Sequence, residues 1–398
     1  MFLSALGVVF GVAFFITGQA QTEGFQKFFI QTILGSKGAI IITDRFQAGF
    51  TEVLQGGDSQ DMLAVSNAQQ RKYYPGITDA YRMMEVIEQY PNVLSSTPIV
   101  EGNSAMRAGF RDSVVVLFGI DMDYHTRATD FSAQIIKGDI EDFRSNPDAI
   151  CIGDLLRKDT RLKLGQHIYL MGNDGTRKRF KITCFYETGV NSIDEKRVYV
   201  HSRKAQELLG KPNHTSSIMV KLGNPHRAPQ LADAFEELLS HRSRSWQERE
   251  KGNMQIFKTL RISAALGVSC IIMLAGFGIF NVLTMTVMEK VKEISILRSM
   301  GYSRSDITAV FLIQGFFVAV LGVVMGWILG ALMTWSVSLI PVKIRGILKA
   351  DHFIVSWSVE HYLMAAVLAF ISVFIAALIP ARRAASMKPV NVLRGASQ

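Results

Sequence analysis

The apolar residues of this chain gather into four runs, and their placement constrains what the chain can fold into. One run occupies residues 1–20; three more crowd residues 262–288, 307–340 and 362–380. A helix needs about 20 apolar residues to cross the hydrocarbon core of a bilayer. Each run reaches that length without a charge at its centre. The residues between the first and second runs read as an ordinary water-facing domain. The pattern predicts an α-helical membrane protein with four transmembrane helices plus a large α+β extracytoplasmic domain inserted between helices 1 and 2. Spans are expected at 1–21, 259–288, 305–340 and 362–381. The inserted domain covers 22–258 and ends in a helical stalk. A surface helix follows at 289–304, a short outer loop at 341–361 and an inner tail at 382–398. The first run lacks a basic leader and no small-residue cleavage site follows Ala20, so it reads as a retained span rather than a removed signal peptide.

Charge supports this division. The net charge is +9, yet residues 22–258 hold 31 Lys and Arg against 29 Asp and Glu. The excess therefore sits around the spans, where it meets anionic headgroups. A nucleic-acid-binding domain would carry the excess itself, so that partner class is excluded. Lys290, Lys292, Arg298 and Arg304 follow the second span, and Arg382, Arg383, Lys388 and Arg394 lie in the tail. These two basic segments share one side, which the positive-inside rule assigns to the cytoplasm. The large domain then lies outside.

Within that domain, residues 39–43, 114–119, 198–201 and 216–222 are β-branched strand candidates. Residues 78–90 predict a helix, with Thr78 or Asp79 as cap and Pro91 beyond its end. Residues 204–209 and 229–240 predict two more. A strand, short helix and strand are expected over 150–156 and 162–169. Residues 169–171 and 179–186 flank Asn173-Asp174-Gly175, a tight-turn signal that predicts a hairpin. The alternation implies a compact α+β domain in two lobes. Cys151 and Cys184 fall in this domain, where an oxidising compartment allows pairing. The simpler expectation is two small residues buried in strands.

The chain offers no catalytic constellation. It has no phosphate-cradling glycine loop with Lys-Ser/Thr, no G-x-S-x-G and no H-E-x-x-H. Asp121, Asp123, Asp139, Glu141 and Asp142 cluster in sequence but read as a solvated face. His125 and His167 read as surface or hairpin residues rather than bases. No Cys/His group has metal-ligand spacing, so catalytic, cofactor and metal sites are expected to be none.

The spans carry small residues at regular spacing: Gly7 and Gly11 in the first, and Gly322, Gly326 and Gly330 in the third. Such faces let helix backbones approach closely. Before the second span, residues 245–250 are polar and helix-forming, continuing through Ile256, Phe257 and Leu260 as a rigid stalk. The bulky rings Phe10, Phe14, Phe277 and Phe280 offer an apolar face by which a substrate could reach spans one and two sideways from the outer leaflet.

The most specific local sequence runs from Met288 to Arg304. Val291, Ile294, Ile296, Leu297 and Met300 predict an apolar stripe near helical spacing, Glu289 and Glu293 lie opposite, and Gly301 is placed to stop the helix. An amphipathic helix at a membrane exit fits a lipid surface or a partner's groove. This segment resembles the "REIaILRaiGas" signature of the FtsX-like, MacB-type permease family of ABC transporters. Residues 379–394 resemble the same family's "PARRAArldPveaLR" ending, and residues 6–12 its first span. The closest likeness is to the lipoprotein-releasing branch. It is carried by Gly24-Phe25-Gln26, Ile33-Leu34-Gly35, the stretch from Asp194 through Val198-Tyr199-Val200 to Leu209, and Ser245-Trp246-Gln247-Glu248.

The resemblance implies a non-catalytic permease subunit in a bacterial inner membrane, its large domain in the periplasm. It implies pairing with a second permease copy, like or unlike, on a cytoplasmic ABC ATPase dimer that binds the ATP and Mg. Glu289, Lys292, Glu293, Ile296, Leu297, Arg298 and Gly301 would then form an ATPase-coupling helix. The outer domain would relay ATP-driven closure to lipoproteins or other amphiphiles. The tight turn at Asn173-Asp174-Gly175 stands where some members carry a long hairpin that recruits a periplasmic carrier, so a partner permease would supply that contact. The same scaffold resembles macrolide and peptide efflux permeases that use a periplasmic adaptor, and a permease that signals to cell-wall hydrolases.

Overall fold

The computed structural model describes residues 2–45, 76–108, 111–172, 174–340 and 352–386. The chain forms two compact units, a helical bundle and the large domain. The turn residue Asn173 lies outside the described residues.

Helix α1 (Phe2–Lys37) opens the chain, and it outruns its apolar stretch by more than four turns. In the large domain it is followed by β1 (Ile40–Thr43), α2 (Ala80–Glu88), β2 (Val93–Ala108) and β3 (Arg111–Ile120). Next come α3 (Met122–Ala128), α4 (Phe131–Gln134), β4 (Ile135–Gly138), α5 (Ile140–Ser145), β5 (Ala149–Gly153) and α6 (Asp154–Thr160). Strands β6 (His167–Met171) and β7 (Arg177–Tyr186) form the expected hairpin, followed by α7 (Asn191–Lys196), β8 (Arg197–His201) and α8 (Ser202–Leu209). The domain closes with β9 (Ser217–Leu222), α9 (Ala228–Leu239), β10 (Arg242–Ser245) and α10 (Trp246–Arg249).

The strands make one sheet in the order β10-β1-β9-β2-β3-β8-β5-β7-β4, with β6 pairing β2 and β7. Most pairs are antiparallel; β3 with β8 and β5 with β7 are parallel. Two apolar cores sit on this sheet. One joins Ile40, Ile42, Ile87, Val220 and Phe235, the other Val115, Ile150, Ile168, Phe180 and Val198. The long strand β2 pairs β9 through one half and β6 through the other, so it links the two. Ser245 ends β10 and caps α10 by accepting from the Glu248 amide, and the polar run before the second span is helical over Trp246–Arg249 and again from Lys251.

Two corrections arise here. Cys151 and Cys184 face each other across β5 and β7, their Cα atoms 4.7 Å apart, and are joined as a disulfide. That separation lies within the disulfide range, and both residues are fully buried in strands. The loop they close spans 33 residues, so the chain-entropy estimate of the bond's contribution is about 3–4 kcal/mol. Replacing both with alanine should lower the denaturant midpoint of the domain, and a reductant should shift wild type but leave the double variant unmoved.

His125 is not a surface residue. It is 1% exposed on α3 and ringed by Phe118, Phe131 and Tyr199 at 5.6–6.5 Å between centroids. Burial first, then the positive charge of Arg197, pushes its pKa down to about 3. The unfolded chain titrates near 6.5, so between those values the unfolded state binds more protons. Stability is fully present above about pH 6.5 and falls as the pH drops towards 3, by at most about 1.4 kcal/mol per pH unit from this group. His125→Leu should flatten that acid limb in unfolding curves taken at pH 7 and pH 4.5. His167, by contrast, is exposed on β6.

The bundle comprises α1, α11 (Lys251–Glu289), α12 (Val291–Ser299), α13 (Arg304–Ser338) and α14 (Val359–Ser386). Among the described residues, α1, α11, α13 and α14 are long and apolar enough to cross a membrane. Helix α14 continues past Pro380, because Ala381, Ala384 and Ala385 are buried against Val287, Ile294 and Ile307.

Candidate coupling helix and membrane core

Helix α12 is a separate short helix with defined ends. Gly301 adopts φ +103°, a conformation other residues rarely take. Its amide donates to the Arg298 carbonyl and the Tyr302 amide to the Leu297 carbonyl, both at 3.3 Å, a Schellman stop. Ser303 then begins α13 in a capping box with Asp306.

The anticipated stripe divides across two faces. Ile294 and Ser295 are buried, Val291 is half-buried, and Arg298 donates from Nη1 to the Ala385 carbonyl at the end of α14. Ile296, Leu297 and Met300 point the other way and are exposed, alongside Lys292 and Glu293. Helical geometry separates Ile294 from Ile296, since residues two apart cannot share a face. The inward face fastens α12 to α11, α13 and α14; the outward face is left mixed, apolar and charged. Glu289 and Gly301 are also exposed, and Glu293 pairs with Lys290 at 2.7 Å. Six of the seven coupling candidates therefore lie on exposed backbone or side chain, and Arg298 turns inward.

The glycines sit where helices touch. A Cβ added to Gly322 would lie 2.9 Å from Val8, one on Gly326 2.7 Å from Val12, and one on Gly330 3.0 Å from Ile16. This is the α1–α13 seam. Gly7 meets Ala275 and Gly11 meets Ile272, both at under 3 Å for a built Cβ, which makes the α1–α11 seam. Thr17 and Thr334 add a polar contact at 3.3 Å, and Thr17 satisfies its own hydroxyl on the Ala13 carbonyl.

The four rings do not form one face. Phe277 and Phe280 line a groove of about 540 Å³ between α11 and α14. Phe10 and Phe14, 47% and 45% exposed on α1, are not among its lining residues. In the large domain the acidic cluster is engaged locally: Asp121 accepts from the Tyr81 hydroxyl at 3.0 Å, Asp139 caps α5, and Asp123 faces Arg144 at 3.6 Å. Among the described residues no three His, Cys, Asp or Glu side chains gather as a metal site.

Among the described residues, four apolar helices with one large insert and a short helix between the second and third spans define a multi-pass membrane protein. Residues 1–238 match the MacB-like periplasmic core domain, and residues 265–389 the FtsX-like permease C-terminal domain. The lipoprotein-releasing system transmembrane protein LolC of Neisseria meningitidis is 23% identical, over 89% of this chain and 90% of its own length. LolE of Haemophilus influenzae is 22% identical, over 98% and 93%. The macrolide export ATP-binding/permease protein MacB of Acinetobacter baylyi is 25% identical over 98% of this chain, which spans only 56% of that relative. The crystal structure of the periplasmic region of MacB from Actinobacillus actinomycetemcomitans covers 56% of this chain and 94% of its own, at 11% identity and TM-score 0.36. The chain belongs to the FtsX-like permease family of ABC transporters, with a MacB-like periplasmic core. It is a multi-pass inner-membrane protein whose large domain lies in the periplasm.

Proposed function

We propose that this permease docks a separate cytoplasmic ATPase dimer through the outward face of α12, and that it works as one of a pair of like or unlike copies. ATP and Mg bind the ATPase; this chain supplies no catalytic group. Closure of the ATPases moves α12 and, through its inward face, the spans. That movement drives the periplasmic domain to extract lipoproteins or other amphiphiles from the outer leaflet. The observation that carries the docking is the uncovered row Lys292, Glu293, Ile296 and Leu297 on a helix whose opposite face is anchored. The substrate class rests on the lipoprotein-releasing relatives, matched over about nine tenths of both chains. Phe10 and Phe14 provide the lateral apolar approach.

Efflux with a periplasmic adaptor is the second reading, favoured by the macrolide export relative that covers 98% of this chain. Affinity capture of the detergent-solubilised protein, with mass spectrometry of its companions, separates the two. An ATPase with a sibling permease and acylated proteins supports extraction. An ATPase with an adaptor and no acylated protein turns the reading to efflux, and capture without any ATPase overturns both.

A further inference from the structure

The groove between α11 and α14 has a direction. Its walls are apolar, built from Phe277, Phe280, Ile371 and Ile375. Its two hydroxyls are already used: Ser372 donates to the Ile272 carbonyl at 3.1 Å and Ser269 to the Ala265 carbonyl at 2.7 Å. Among the described residues, the only charge lining it is Arg383, exposed at the cytoplasmic end of α14 and without a side-chain partner among them. At the other end the lining stops at Leu368, about 14 Å of helix short of the outer start of α14 at Val359. From Leu368 to Ile379 the groove runs about 16 Å, close to half the roughly 30 Å hydrocarbon core.

We propose that this groove is a binding site for one acyl chain of an anionic phospholipid from the cytoplasmic leaflet, its phosphate held by Arg383. Depth matches a single leaflet, the dry walls select a hydrocarbon chain, and the position of the cation selects both leaflet and headgroup sign. An amphiphile in the outer leaflet would present its headgroup at the opposite end, where no charged residue lines the groove. Phe277 and Phe280 thus serve a resident lipid, not the extracted substrate.

Native mass spectrometry of the full-length protein in mild detergent, titrated separately with phosphatidylglycerol and phosphatidylethanolamine, tests this. Wild type should retain one phosphatidylglycerol in preference to phosphatidylethanolamine. One cation near an anionic headgroup is worth about 1 kcal/mol, so Arg383→Ala should weaken phosphatidylglycerol about five-fold and abolish the preference, while Arg383→Lys keeps it. Ile375→Trp, at a 57% exposed position that can fill the groove without disturbing the seams, should reduce both lipids. Equal retention of the two lipids by wild type, or Arg383→Ala and Ile375→Trp variants that elute normally and bind as wild type, would overturn the proposal. So would disulfide formation between two copies carrying Ile371→Cys, which would show a second copy in the groove instead.

Discussion

Leu297→Asp should abolish ATPase stimulation and substrate release while the protein still accumulates in the membrane. Leu297 is 37% exposed and its neighbour Ile296 53%, so the substitution removes no core packing within this chain. Its cost falls on whatever covers the outward face of α12. A charge placed in a desolvated apolar contact has the energetics of a lost hot spot, about 2 kcal/mol or more, or roughly 30-fold in affinity. Glu293→Lys makes the same point from the charged side. It breaks the exposed pair with Lys290, which as a surface ion pair is worth at most about 1 kcal/mol, so stability should be unchanged. Any loss of coupling then reports on the partner. The measurement is ATP hydrolysis by the reconstituted complex beside an immunoblot of the membrane fraction. Normal stimulation in both variants would remove α12 as the docking element. Ile294→Asp is the informative contrast: that residue is 4% exposed in the core with Phe311 and Ala384, and its loss should lower the amount of folded protein.

Gly326→Leu should prevent α1 from seating in the bundle. A Cβ at Gly326 already lies 2.7 Å from both Val12 Cβ and Cγ1, closer than packed carbons tolerate. The remaining side-chain atoms have nowhere to go in a seam where Val8, Val12 and Ile16 are fully buried. Overpacking of a tight site costs about 1–3 kcal/mol. Here the clash spreads along Gly322 and Gly330 as well, since the helices can separate only as whole rods. Thermal unfolding of the detergent-solubilised protein and protease resistance of α1 would read the effect. Gly267→Ala serves as control, because a Cβ there meets nothing within 4 Å. A Gly326→Leu variant as stable as that control would show that the α1–α13 seam does not hold the bundle.

The four spans are visible in the sequence because hydropathy is a local property summed over a long window. Limits of the spans are less visible. Glu23 and Lys27 end the apolar run, yet α1 continues to Lys37, since the two pair at 2.8 Å and the helix buries Phe29 and Ile33 further on. Strand β2 went unread because Ser95, Ser96, Thr97, Pro98 and Gly102 are turn-like residues. Its conformation is imposed by pairing, with the distant β9 on one side and the adjacent β3 on the other. The pairing of Cys151 with Cys184 likewise depends on two strands meeting across the register of a parallel ladder, information no window of sequence contains. The α12 stripe was misassigned for a simpler reason: Ile294 and Ile296 are two residues apart and cannot share a helix face, while Leu297, three residues after Ile294, is left exposed only by where the neighbouring helices pack. The burial of His125 is not legible locally; besides nearby Phe118 and Phe131 it needs Tyr199, which arrives from β8 far along the chain.

The glycine seam also fixes an order of events at the ribosome. Helix α1 leaves the tunnel before the other three described spans, but the surface it needs, from Gly322 to Gly330, is made only with the third of them. Thr17 and its contact at Gly330 are separated by 313 residues. At about 5–20 residues per second, the first span waits on the order of 15–60 seconds in the bilayer without its partner. During that interval the whole periplasmic domain is synthesised. The small-residue face of α1 is meanwhile open to any neighbouring helix that arrives first.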